Sequence, residues 1–285
     1  MQETYQFKDG RLTIQDPDLG IDIDDVFDPL KVPKDLAKTS HLILKKSAQG
    51  SVLRAFFEIE GHFEGEYILY YPNGKVETRC FYKHGKLHGP STVYSESGMR
   101  LSETWFYQDQ KEGKAIHYHL NGKISSIVRH KKGVLHGMQE YYYNDGGLKS
   151  EMCYCDGVLE GAVNLYHPNG KKKREVFFQT GLREGYDRMW SANGALTDEG
   201  KYEMGDPVGV HRHYFENGAP FEERVYYAPS RYDTKKWDEK GTLYFEGKYD
   251  DSLKYVQRTW KDGEEEVKVG KWDGNKIKWE SHGSN

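Results

Sequence analysis

The chain is 285 residues long with a net charge of −4 and a pI near 6.3, a balance that lacks the basic footprint of a nucleic-acid binder. Hydrophobic residues make up only 36%, while Tyr and Gly reach 22 and 31; that is thin for one globular core and favours short strands joined by tight turns. No stretch approaches the roughly 20 apolar residues of a membrane-spanning helix, and Met1–Gly10 has no charged region followed by an apolar one, so no secretory signal is expected.

In chain order, Tyr5–Ile14 around Asp9-Gly10 is expected to form a hairpin. Asp16–Pro33, with Asp22, Asp24, Asp25, Asp28 and three prolines, reads as irregular, so residues 1–40 form an irregular acidic N-terminal cap or arm. Residues 41–64 are a degenerate first repeat, with Gly50 and Gly61 in register and Lys46 in place of an aromatic residue.

Residues 65–232 hold seven 24-residue repeats. Glycines recur at Gly65, Gly89, Gly113, Gly137, Gly161, Gly185 and Gly209, and again at Gly74, Gly98, Gly122, Gly146, Gly170, Gly194 and Gly218. An aromatic column keeps the same step: Tyr70, Tyr94, Tyr118, Tyr142, Tyr166, Trp190 and Tyr214. Another runs through Tyr82, Phe106, His130, Tyr154, Phe178, Tyr202 and Tyr226. Asn or Asp precedes most glycines of the second series, as at Asn73-Gly74, which suits a tight turn with both residues at positive φ. A second turn follows about 12 residues later, near Gly85, Gly133, Gly157, Gly181 and Gly205, by the same glycine logic. Each repeat is therefore one β-hairpin. In residues 233–285 the period slips through Trp237, Trp260, Trp272 and Trp279, giving degenerate repeats and a C-terminal cap.

The fold class expected is all-β, an elongated open solenoid of tandem antiparallel hairpins. With two-residue turns, Val76, Thr78, Cys80 and Tyr82 share the face that best suits a core. Arg79 and Glu77 then lie on the other face, with the Tyr70 column as its aromatic stripe. Exposed end strands of such a sheet favour a homodimer by edge pairing.

Sites of chemistry are sparse. His117 and His119, like His211 and His213, place two imidazoles on one strand face, but His117 and His213 are four repeats apart, about 40 Å at two strands per repeat. Too few ligands converge for a metal. Asp16-Pro17-Asp18 with Gly20 and Asp22 lacks the distal Glu of a calcium loop. Lys171, Lys172, Lys173 and Arg174 are a candidate anion contact, which would serve a membrane surface. Cys153 and Cys155 have no second pair, and with three cysteines in all the chain reads as reduced and cytoplasmic, with signal-independent secretion as the alternative. No phosphate loop or nucleophile elbow is found. No catalytic residue, metal or cofactor is expected.

Units such as Gly65-Glu-Tyr-Ile-Leu-Tyr-Tyr-Pro-Asn-Gly-Lys75 and Leu135-His-Gly137 resemble the MORN repeat, and most closely its bacterial antitoxin-type variant. The resemblance implies a β-hairpin solenoid used for protein contacts and sometimes membrane-associated. The function expected is a non-catalytic scaffold for a protein partner, with Tyr70, Tyr94, Tyr118, Tyr142, Tyr166, Trp190 and Tyr214 as the candidate interaction surface. The alternatives are a toxin-neutralising or chaperone-like binder, and peripheral membrane binding.

Overall fold

The computed structural model describes residues 3–8, 11–26, 41–249, 254–273 and 276–280, and every regular element among them is a β-strand. Successive strands pair antiparallel, as the repeat pattern requires. His62–Tyr70, for example, lies against Val76–Lys83 with Tyr67 opposite Cys80 and Leu69 opposite Thr78. Hairpins also continue through the degenerate ends, from His41–Lys46 with Val52–Ile59 to Lys254–Lys261 with Glu264–Trp272.

The two turns of each repeat exchange the roles expected of them. At Asn73-Gly74 only the glycine is left-handed, at φ 82°. The Tyr71 carbonyl accepts from Gly74 N at 2.9 Å, and Tyr71 N donates to the Lys75 carbonyl at 2.9 Å. This is a type I turn over Pro72-Asn73, closed by a left-handed glycine that forms a bulge. Asn73 serves the turn with its side chain, whose Oδ1 accepts from Lys75 N at 3.0 Å. The tight turn with two positive φ values is the other one. It is formed by His84-Gly85, Lys132-Gly133, Asp156-Gly157, Thr180-Gly181 and Met204-Gly205, whose first residues lie at φ 48–52°.

The bulge moves the aromatic column. Simple alternation puts Tyr70 opposite Glu77, but the register shifts after Leu69 and Tyr70 faces Val76. The same shift occurs at Tyr94, Tyr118, Tyr142, Tyr166, Trp190 and Tyr214. An extra residue on one strand defeats a period-2 assignment locally.

The chain divides into two compact units, Met1–Val158 and Leu159–Asn285. The first contains a separate three-stranded antiparallel sheet: β1 (Thr4–Lys8), β2 (Arg11–Asp16) and β3 (Ile21–Val26). The expected hairpin is thus formed by β1 and β2, although its turn at Asp9-Gly10 lies outside the described residues. The expected irregularity from Asp16 onward is corrected as far as Val26. Leu19 N and Gly20 N donate to the carbonyls of Asp16 and Pro17 at 3.2 and 3.1 Å. Gly20 takes φ 60°, and Ile21 and Ile23 then alternate with Asp22 and Asp24 in the strand. The acidic residues mask a period-2 pattern because they occupy the solvent face of a strand whose other face is buried. Asp28, Pro29 and Pro33 lie outside the described residues.

In this first unit the repeat sheet is covered on the face expected to be solvated. Leu12 and Ile14 are fully buried and cluster with Leu19, Ile21 and Trp105. Tyr5 packs on Trp105 with ring centroids 5.7 Å apart, and Phe7 on Phe81 at 4.5 Å. Asp25 pairs with Lys83 at 2.9 Å, and Glu3 with Lys114. Burying a Leu or Ile side chain contributes roughly 1.5–3 kcal/mol, so this contact holds the small sheet firmly. Gly113 permits it: a methyl group there would overlap the Tyr5 ring. The Cys80 face is also buried as expected, through Cys80, Ser126, His130 and Ser150.

Candidate interaction surface

The seven residues of the Tyr70 column are half-buried without exception. They are engaged within the sheet as well. The Tyr142 hydroxyl donates to Glu140 at 3.0 Å, and Arg100 lies 6.0 Å from the Tyr118 ring centroid. The column offers ring edges at a bulge rather than open aromatic faces.

More apolar surface is exposed elsewhere. The face that holds Phe81 and Trp105 in the first unit is built from cross-strand pairs such as Glu66–Phe81, Pro90–Trp105 and Lys114–Arg129. In the second unit the same sequence columns pair Ala162 with Phe177, Tyr186 with Lys201, and Val210 with Val225. There Phe177 is 46% exposed, Tyr186 49% and Val210 39%. Cross-strand ion pairs Arg188–Glu199 at 2.6 Å and Arg212–Glu223 at 2.9 Å lie between them. Apolar anchors among internally satisfied charges make a surface that another protein can cover without stranding a charge.

The opposite face changes character between units. The column occupied by Thr78, Ser102, Ser126 and Ser150 in the first unit becomes Arg174, Asp198 and Glu222 in the second. Asp187, 10% exposed, takes a bidentate contact from Arg174 at 2.8 and 2.6 Å, with Arg183 at 3.5 Å. His213 meets Asp198, and its other nitrogen lies 3.8 Å from Glu222. Burial pushes the Glu222 carboxyl up, but Arg224 at 3.0 Å and Lys236 at 3.3 Å outweigh it and hold its pKa below the usual range. Arg174, Arg183, Asp187, Asp198 and His213 border a cleft of about 240 Å³ beside Gly200 and His211. Every charge around Asp187 and Glu222 already has an opposite partner, so the cluster reads as a satisfied buried network.

Several of the histidines are engaged within the sheet. His211 is buried, donates through Nε2 to the Lys201 carbonyl at 2.8 Å, and packs between Tyr202 and Tyr226. His119 Nε2 bonds the Tyr142 carbonyl at 3.1 Å, while His117 meets Ser126. Burial, followed by the charges of Lys111 and His117, depresses His130 to about 4. In the basic run, Lys171 donates to the Asn193 carbonyl at 2.6 Å, Lys172 pairs with Glu175 at 2.5 Å, and Arg174 is held by Asp187. Lys173 is exposed.

Two ladders of hydrogen bonds tie successive hairpins together. On one edge Glu64, Glu112, Glu160 and Glu184 accept the backbone N–H of the next tight turn, at His84, Lys132, Thr180 and Met204, over 2.7–3.0 Å. His136 stands in this column and faces Asp156 N at 3.2 Å. On the other edge Asn73, Asn121 and Asn169 donate to carbonyls of the following turn, and Lys75, Lys123 and Lys171 do likewise one residue further on.

A family model for the MORN repeat variant matches residues 63–84, 111–132, 135–156 and 159–180. Four of the chain's hairpin units match the MORN repeat variant. Each matched segment ends on the left-handed residue of a tight turn or just before its glycine, so the MORN unit coincides with one turn-to-turn step of the sheet. No functionally curated protein matches the chain. Among solved structures it is similar to a chain of the Photorhabdus luminescens Tc holotoxin pore, at 14% identity and a TM-score of 0.20. That likeness covers 86% of this chain but only 15% of the other, and it carries no argument here.

The edge ladders were missed in the sequence although their signal is present. Glu64, Glu112, Glu160 and Glu184 keep the 24-residue step, with His88 and His136 between them. A column of Glu reads as solvated charge until the turn that it caps is located.

Proposed function

We propose that this MORN-repeat chain is a non-catalytic scaffold that binds a protein partner through the Phe177–Tyr186–Val210 face of its second unit. The observation that carries this reading is a comparison of columns. In the first unit Phe81 and Trp105 of these columns pack against a folded β-sheet, with Phe7 on Phe81 and Tyr5 on Trp105, while Met138 is exposed. In the second they carry exposed apolar side chains. Aromatic residues ringed by satisfied polar groups are where interface energy concentrates. The Tyr70 column is secondary on this reading, since its rings are half-buried.

A photo-crosslinker placed at Tyr186 in the full chain should capture a discrete partner. The triple change Phe177→Ser, Tyr186→Ser and Val210→Ser should release that partner while leaving the circular dichroism spectrum and Tm nearly unchanged. Equal retention by the triple variant, or binding only to lipid vesicles, would overturn the proposal.

A further inference from the structure

We propose that His136, Cys155 and Asp156 form a binding site for a borderline-soft divalent metal ion of the Zn2+ class. In the structure an imidazole nitrogen of His136, Cys155 Sγ and an Asp156 carboxylate oxygen lie within 4.8 Å of one another. Nitrogen, thiolate and carboxylate are the three donor types that such an ion takes, with the fourth position left to water.

The placement follows from the edge ladder. The repeat puts Glu64, Glu112, Glu160 and Glu184 where this unit has His136. At the positions of Cys155 and Asp156 those other units carry Lys83-His84, Lys131-Lys132, Gln179-Thr180 and Glu203-Met204. The full donor set therefore occurs in one of these five units. The tight turn, with Asp156 at φ 48° and Gly157 at φ 83°, fixes the approach of Asp156 to the imidazole.

The contacts at His136 also conflict as they stand. Asp156 N points at Nδ1 from 3.2 Å, and Asp156 Oδ1 lies 3.1 Å from the same atom. A protonated Nδ1 serves the carboxylate but opposes the amide hydrogen. A bare Nδ1 serves the amide but sets two acceptor atoms against each other. A cation shared by Nδ1 and Oδ1 removes the conflict. The amide released to solvent forgoes one long hydrogen bond, worth about 1 kcal/mol net.

Tetrahedral coordination at about 2.0–2.3 Å needs donor atoms roughly 3.4–3.8 Å apart. The adjustment is small for this group, since the Asp156 side chain is 77% exposed and Cys155 is an exposed free thiol. Binding converts the Cys155 thiol and the ion into a metal thiolate plus one released proton.

The test is titration of the full chain with Co2+ alone, read by thiolate-to-cobalt absorption in the near ultraviolet and by proton release. The expected result is a band that saturates at one equivalent with release of a proton. Cys155→Ser and His136→Gln should each lose it, and Cys153→Ser should keep it. His136→Gln preserves the fold check, because its amide oxygen can accept the turn N–H as the Glu side chains do. Absence of a thiolate band in the parent chain overturns the site. So does a band that survives Cys155→Ser or His136→Gln, or one that Cys153→Ser removes.

Discussion

Gly113→Ala isolates the docking of the N-terminal sheet. Gly113 and Gly209 occupy the same column, at φ 75° and 65°. An alanine at either position meets the left-handed penalty of roughly 1–2 kcal/mol. At Gly209 nothing lies within 4 Å of the added methyl, whereas at Gly113 it overlaps the Tyr5 ring. Tyr5 cannot retreat freely, since its hydroxyl donates to buried Asp16 at 2.6 Å and its ring packs on Trp105. Overpacking of this kind costs about 1–3 kcal/mol beyond the backbone strain. Hydrogen exchange of the Leu12 and Ile14 amides is the direct assay. Gly113→Ala should accelerate exchange across β1–β3, and Gly209→Ala should leave it unchanged. Equal protection of β2 in the two variants would refute the packing of this sheet on the Trp105 face.

Three further outcomes are expected. His130 is 7% exposed, and burial holds its folded pKa at about 4, well below the ordinary 6.5 of histidine; the unfolded chain therefore binds the proton first as pH falls. Its contribution is complete above about pH 6.5 and is lost progressively toward pH 4, by roughly 3 kcal/mol. His130→Phe, the residue type present at Phe106 in the same column, should flatten the difference in urea midpoint between pH 7.5 and 4.5. Glu184→Ala removes the acceptor for Met204 N, now at 3.0 Å; it should cost about 1 kcal/mol in urea unfolding, with Glu184→Gln recovering most of the loss. Arg174→Ala should weaken the second unit less than Asp187→Ala. Arg183 still lies 3.5 Å from Asp187 when Arg174 is gone, whereas loss of Asp187 strands two cations.

The hairpin repeat was legible because its cause is local. A glycine with positive φ, a turn residue before it and a strand period of two recur every 24 residues, and each acts within a few positions of itself. The burial of Cys80, Ser126 and Ser150 on one face followed from that alternation. The reading failed where a local rule had two solutions. Asn73-Gly74 suits a type I′ turn and equally a type I turn with a glycine bulge, and Pro72 together with the Asn73 side-chain bond selects the second. The one-residue bulge that results is what displaced the Tyr70 column from the expected face.

The amino-acid sequence alone determined the hairpin, its length and the two turns that bound it, because turn chemistry and strand alternation are properties of neighbouring residues. Tertiary structure alone decided which surfaces remain open. Nothing local marks Phe81 and Trp105 as covered and Phe177 as exposed, since all three occupy one column of equivalent repeats, and Tyr186 lies in the cross-strand partner column of the same face. The difference arises because β1–β3 folds back over Trp105, and because His136, Cys155 and Asp156, separated by up to 20 positions, meet only when one hairpin caps the next. Contacts between residues far apart in the chain carry no period, and so no repeat pattern announces them.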